Sequence, residues 1–435
     1  MKKFFHYINN EVLVKAASLK TQNLSIKIIA GILISKFIAM FIGPEGMALI
    51  GNLRNFYSTI QSLAIGGLYN GVVKFIGRSK DNVVELTKTI STVFYSGFFI
   101  SIFLAFFCYY KAEFINDLIF TNNNYAYIIE ILAIVLPFYA LNMFIFSIMN
   151  GFSKYRILII INIIGQILGL LVTMLLIWQN NIDGALLSVV ITPALNLLIS
   201  ITGIAFRKNL MSNIQITSIN FSVLRNLGPY MIMALVSSIA LPIVYIIIRN
   251  YLIAEIGMKE AGYWTAMTRV SDYYLMFINS LVALYILPRF GEINTHKEFR
   301  KEIFSFYKTI MPFFALLLFI VYLTRSYLVT LLFTEEFRPV VDLFGYQILG
   351  DVLRVMAMVI AYKFLAKKMF LHFIILEIFL FIIMYVSSIY LIDAFGLKGV
   401  VMGHFVSYLM YFSIILLIFG SSLFGVLNDE GIDNF

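Results

Sequence analysis

The chain has 435 residues, 61% of them hydrophobic and 13% charged, with a mean hydropathy of +0.92. Soluble domains carry about 25% charged residues, so a soluble enzyme with a single anchor is excluded. A β-barrel is excluded too, because the apolar runs here are about twice the roughly 10 residues of an alternating barrel strand. The excess of 32 basic over 23 acidic residues, a net +9, reads as topogenic charge and attraction to anionic lipid rather than as a nucleic-acid surface.

Residues 1–23 form a basic lead with Lys2, Lys3, Lys15 and Lys20, expected at the interface and retained, since no small-residue cleavage site follows. Twelve apolar windows then predict membrane-spanning helices near 24–43, 46–76, 88–110, 125–149, 155–178, 182–206, 228–252, 259–288, 303–324, 339–364, 369–392 and 396–420. Spans two and eight are longer than a bilayer needs, which predicts tilt or an extension. Residues 207–227 read as a linker and 421–435 as a tail. Cys108 is the lone cysteine, so no intrachain disulfide forms. With the N-terminus inside, Lys and Arg in the loops divide about nineteen to five in favour of the cytoplasmic side, so both termini are expected there.

The two halves repeat. Glu45-Gly46 and Arg54 correspond to Ala261-Gly262 and Arg269; Lys74-Phe75 corresponds to Arg289-Phe290; Leu118–Thr121 recurs as Leu331–Thr334; and Gly184–Leu187 recurs as Gly399–Met402, all at an offset near 215. Each repeat holds six spans. The expected fold is therefore all-α: a six-helix bundle over 24–206 and another over 228–420, related by a pseudo-two-fold axis along the membrane normal, with a cleft between them.

A polar helix face inside a bilayer points at protein or at a water-filled cavity. Span two carries Arg54, Ser58, Gln61, Ser62 and Tyr69 on one face. Span eight carries Thr265, Arg269, Asp272, Tyr273, Asn279 and Ser280. Span seven adds Ser238, Pro242, Tyr245 and Arg249 at i, i+4, i+7 and i+11. These stripes predict a cationic, hydroxyl-rich and aromatic lumen suited to phosphate and sugar. Arg54 and Arg249 have no acid within a turn on their own helices and are the first candidates. Arg269 with Asp272, and Arg354 with Asp351, sit at i, i+3 spacing and also fit structural pairs. In span one Lys27 and Lys36 fall on opposite faces; Lys27 snorkels and Lys36 remains a lumen candidate.

Intramembrane acids are candidates for coupling to a proton or sodium gradient: Asp272 and Asp351 first, as the deepest, with Glu130, Asp342 and Glu377 behind them. His372 and His404 could relay protons, but each stands alone in sequence, and a lone histidine is more often just hydrogen-bonded. Pro137, Pro193 and Pro242 lie within spans, where bending or packing accounts for them. The chain carries no Walker-type loop, no His-Glu-x-x-His run and no metal-ligand cluster, and its longest internal loop is about 20 residues, so neither catalysis nor a cofactor is expected.

The Gly-Pro-Glu-Gly hairpin at 43–46 followed by Arg54, the Gly184-Ala-Leu-Leu opening of span six and the two six-span halves resemble the multidrug/oligosaccharidyl-lipid/polysaccharide exporter superfamily, with its MATE-like fold. Leu241-Pro242 with Tyr245 and Arg249, Val270-Ser271-Asp272, Leu287-Pro288 and Gln347–Leu353 resemble the Wzx-type flippases, the O-antigen and enterobacterial-common-antigen translocases. The resemblance covers essentially the whole chain. It implies an activity, moving undecaprenyl-pyrophosphate-linked oligosaccharide across the bacterial inner membrane, and partners, a polysaccharide polymerase and a chain-length regulator. Its matching positions are Arg54, Arg249, Asp272 and Asp351, with a basic residue at Arg354. A cation-coupled drug exporter is the first alternative, but its cleft should be acidic. A peptidoglycan-precursor flippase usually has two further spans, and a polysaccharide polymerase or ligase has a catalytic loop.

Overall fold

A computed structural model describes residues 11–65, 67, 72–73, 76, 82–121, 123–205, 215–367 and 369–425. Among the expected features, Tyr69, Lys74-Phe75, the first ten residues and the tail beyond 425 lie outside the described residues.

The described chain is helical throughout, without strands. The helices are α1 (Glu11–Phe41), α2 (Gly43–Ile65), α3 (Val83–Tyr110), α4 (Ala112–Phe120), α5 (Ala126–Gly151), α6 (Tyr155–Ala205), α7 (Phe221–Glu255), α8 (Met258–Leu281), α9 (Leu287–Glu292), α10 (His296–Thr309), α11 (Met311–Leu323), α12 (Arg325–Leu332), α13 (Phe344–Ala366), α14 (Phe370–Phe395) and α15 (Leu397–Phe424). Local chemistry sets the ends. Asn82 caps α3 by accepting from the Glu85 amide at 3.2 Å, and Thr295 caps α10 by accepting from the Glu298 amide at 3.2 Å. Pro312 stands in the first turn of α11, where its missing N–H costs nothing.

Eight described helical segments are long and apolar enough to cross a membrane. One of them is α6, which breaks at Asn180 and Asn181 and so supplies the fifth and sixth expected spans. The other three expected spans are α2, α8 and α13, the helices that carry Arg54, Arg269 with Asp272, and Asp351 with Arg354. Large apolar side chains face outward, such as Phe103 at 71% and Leu417 at 81% exposure. Lipid, not water, covers such a surface.

Several span limits differ from expectation; α1 already begins at Glu11, inside the basic lead, and α7 at Phe221. The long eighth span is α8, a π-helical turn at Val282–Ile286 and α9; the wider turn absorbs the extra length. The ninth starts earlier, at His296, with an amphipathic first half. The tenth starts only at Phe344, because Pro339 sits in a 3-10 segment, Glu335–Leu343. Asp342 therefore lies outside the α-helix, exposed, 3.4 Å from Lys398, and is not an intramembrane acid.

Contacts divide the chain into two compact units, Met1–Ile42 with Leu49–Ile243, and Gly43–Ala48 with Val244–Phe435. The division falls inside α7, whereas the sequence places it at the 207–227 linker. In the first unit α5 packs against α3 and α6, and α1 against α6. Its core includes Val72, Ile76, Leu86, Ile90, Val93 and Ile148. In the second unit α15 packs against α13 and α14, and Phe419 meets Phe364 and Phe299 at 4.9 and 5.8 Å between ring centres.

The sequence repeat is also a repeat of local geometry. Lys111 interrupts the chain between α3 and α4 as Thr324 does between α11 and α12, and the short helices lead to fully buried Phe120 and Phe333. Tyr127 hydrogen bonds to Asp183; at the positions 215 residues later Asp342 pairs with Lys398. Asn181 (φ +47°) and Gly396 (φ +61°) make the two corresponding left-handed turns. Just after them a Cβ on Gly184 would lie 1.8 Å from the Leu176 carbonyl oxygen, and one on Gly399 would lie 1.9 Å from that of Leu391. Backbone blocks both positions. Gly399→Ala is expected to cost about 1–3 kcal/mol of stability through overpacking, read as a lower thermal midpoint of the purified protein in detergent. Gly291→Ala, where a Cβ meets nothing within 4 Å, is expected to leave the midpoint unchanged.

Candidate functional site

In the first unit the polar row of α2 stands out against its apolar body. Leu49, Ile50, Leu53, Tyr57 and Ile60 are buried, and Asn52 on the packed side donates to the Ile119 carbonyl at 2.8 Å. Arg54 and Ser58 are exposed and Gln61 is half-buried. In a membrane helix an exposed guanidinium beside a hydroxyl belongs to an aqueous surface rather than to hydrocarbon. Glu130 on α5 and Lys36 on α1 are half-buried, while Lys27 is exposed.

In the second unit the expected stripes separate. Arg249 is only 2% exposed: its Nε donates to Thr265 Oγ1 at 2.9 Å, and its guanidinium lies 5.0 Å from the centre of the Trp264 ring. Tyr245, half-buried, meets the same indole edge-on at 5.4 Å. Arg249 thus sits inside the helix packing, not on an accessible surface. Arg269 is likewise buried, whereas Asp272 and Asn279, i and i+7 on α8, are exposed. Of the two acids expected to lie deepest, only Asp351 does.

Asp351 has no exposed surface and collects donors from three helices. Its Oδ2 accepts from Ser271 and Tyr274 of α8 and, at 3.3 Å, from Gln347 one turn earlier on α13. Its Oδ1 lies 3.0 Å from His404 Nε2 of α15. Gly350 permits this meeting, because a Cβ there would stand 2.4 Å from the His404 ring. Two expectations change as a result. His404 is not alone, and among the described residues no ion pair joins Asp351 to Arg354. The guanidinium of Arg354, half-buried, lies instead 5.6 Å from the Tyr408 ring centre. Tyr408 packs edge-on to His404 at 4.8 Å, and Tyr411, a turn further, donates to Glu377 at 3.2 Å.

Sequence reading names His404 as a proton-relay candidate but as a lone one, takes Ser271 and Gln347 only as part of the family resemblance, and misses Tyr274. The available signal was Gln347 four residues before Asp351, hence on the same face. The first unit supplies a control. At the positions 215 residues before Gln347, Asp351 and His404 stand Leu132, Leu136 and Val189, and both leucines are fully buried. The architecture accepts hydrocarbon there. A buried carboxylate costs free energy that packing alone does not require, so the cluster points to a task.

Solved structures share this fold. A lipid II flippase MurJ in an inward closed conformation matches with a TM-score of 0.73 and 16% identity, over 94% of this chain and 87% of that one. An inward-facing multidrug resistance MATE family transporter of the MOP superfamily matches with a TM-score of 0.72 and 14% identity, over 92% and 98%. In sequence the chain is 29% identical over 387 residues to the Lipid III flippase of Escherichia coli (strain K12), covering 89% of this chain and 93% of that protein. The family described as polysaccharide biosynthesis protein matches residues 37–342. By that match, which takes in well over half of the sequence, the chain belongs to the polysaccharide biosynthesis protein family.

Proposed function

We propose that this protein is a flippase that moves undecaprenyl-pyrophosphate-linked oligosaccharide from the cytoplasmic to the periplasmic leaflet of the bacterial inner membrane, with O-antigen or enterobacterial-common-antigen units as the glycan. It is a transporter rather than an enzyme, and a polymerase and a chain-length regulator act on what it delivers. The observation that carries this reading is the likeness, over 89% of the chain, to a protein named as a lipid flippase. The chemistry of α2 agrees with it. Arg54 neutralises diphosphate through paired N–H donors, while Ser58 and Gln61 answer sugar hydroxyls.

Arg249, with Thr265 and Trp264, holds α7 against α8. Among the candidate residues of the second unit, Asp272 and Asn279 are exposed and Tyr245 and Arg354 are half-buried. An ion gradient drives the cycle, and we assign its coupling to Asp351 with His404. No protein cofactor enters.

The test is a reconstituted liposome assay with fluorescent undecaprenyl-pyrophosphate oligosaccharide, whose inner-leaflet pool is protected from an added glycosidase. The expected result is loss of that protection in protein-containing vesicles. Protection equal to that of protein-free vesicles overturns the reading.

A further inference from the structure

The polar row of α2 does not end in a loop; it runs into a groove. Arg54, Ser58, Gln61 and Ile65 stand at i, i+4, i+7 and i+11, one line along the helix about 16 Å long. Ile65 and its neighbour Ala64 form one wall of an opening whose other walls are Phe94 and Gly97 of α3 and Ala140 and Phe144 of α5. All of these belong to the first unit. Phe94 meets Phe144 edge-on at 5.0 Å, joining the α3 and α5 walls. At Gly97 the place of a Cβ has nothing within 4 Å, so the missing side chain leaves space.

The groove also contains Ser101 and Ser147, yet neither offers a proton to a ligand. Ser101 donates to the Phe98 carbonyl and Ser147 to the Phe144 carbonyl, each at 2.8 Å. The lining therefore behaves as hydrocarbon. A polar molecule entering it would lose its water without replacement, whereas an apolar chain gains burial.

The second repeat lacks this arrangement. At the positions of Ala64 and Ile65 it has Asn279 and Ser280, and in the register that aligns Lys111 with Thr324, Gly97 is replaced by Ile310. The α8 row thus stays polar where the α2 row turns apolar, and the six-span plan alone does not produce the groove.

We infer that the α2–α3–α5 groove is the binding site for the polyprenyl chain of the substrate, with the diphosphate on the Arg54–Ser58–Gln61 row of the same helix. This rests on the flippase reading and adds the seat of the tail. One helix then grips both parts of an amphiphile: cationic where the head carries negative charge, and apolar, with aromatic and small side chains, where the isoprene units begin. A phospholipid also carries a phosphate and apolar chains, so competition by phosphatidylglycerol separates the two.

The experiment uses full-length protein in nanodiscs of phosphatidylethanolamine and phosphatidylglycerol with a diazirine-bearing polyprenyl diphosphate, mapping cross-links by mass spectrometry. Cross-links are expected on α3 around Gly97 and on α5 around Phe144, suppressed by excess undecaprenyl diphosphate and not by added phosphatidylglycerol. Gly97→Phe is expected to lower them about tenfold, as a loss of about 1.4 kcal/mol in binding would, and Ala140→Phe fills the groove from the opposite wall should the first variant fold poorly. Specific cross-links on other helices overturn the groove and leave the flippase reading standing. Groove cross-links suppressed equally by phosphatidylglycerol assign it to bulk lipid and overturn the inference. Wild-type protein that gives no competable cross-link while still flipping the labelled oligosaccharide also overturns the groove; protein that does neither overturns the flippase reading with it.

Discussion

Arg54→Ala is expected to cut the rate of oligosaccharide-lipid flipping by roughly tenfold to a hundredfold, because a hydrogen bond to a charged group contributes about 1.5–3 kcal/mol. The side chain is exposed on α2 while the helix is anchored by the buried residues of its other faces, so the variant should reach the membrane in normal amount. Arg54→Lys restores the charge but not the planar pair of donors, and should recover part of the rate. The liposome assay on both variants, beside immunoblots of the membrane fraction, separates transport from folding. Wild-type flipping by Arg54→Ala would remove the cationic row from the mechanism. The same substitution at Arg249 reads differently: it leaves Thr265 and Trp264 around a void inside the packing, and lost stability is expected before lost affinity.

Those two arginines mark how far the sequence was legible. Span number, polytopic class and the repeat could be read because lipid imposes long apolar runs and the duplicated hairpins kept their glycines, Gly184 and Gly399, at backbone contacts no other residue fits. A polar stripe on one helix, however, does not say what it faces. Arg54 and Arg249 look alike in periodicity, yet one is exposed and the other meets Thr265, sixteen residues further on in the next helix. The Asp351 cluster was hidden for the same reason, since its donors lie 80 residues before it at Ser271 and 53 after it at His404. The i, i+3 rule pointed to Arg354 instead. Spacing along one helix describes that helix; a site built by three is set by their packing.

Asp351→Asn is expected to uncouple transport from the ion gradient. The carboxylate accepts from Ser271, Tyr274 and Gln347 and lies beside His404, an arrangement that suits a charged acceptor-only group. When a proton joins the Asp351–His404 pair, that set of hydrogen bonds must change, and α8, α13 and α15, which supply it, are free to shift against one another. A group with no exposed surface takes up a proton more readily than it takes up a hydrated metal ion, which must first shed its water. Asparagine fixes the neutral state with nearly the same volume and avoids the about 3–5 kcal/mol expected when one partner of a buried pair is simply removed. Asp351→Asn liposomes should therefore still equilibrate labelled lipid between leaflets but lose the acceleration that an imposed pH gradient is expected to give the wild type. His404→Gln, which keeps a hydrogen-bonding group at the same place, should lose it as well. A variant at 351 that eluted as a single folded species and still answered the gradient as the wild type does would leave the buried carboxylate a structural role only, and would move coupling to the half-buried Glu130 or the exposed Asp272.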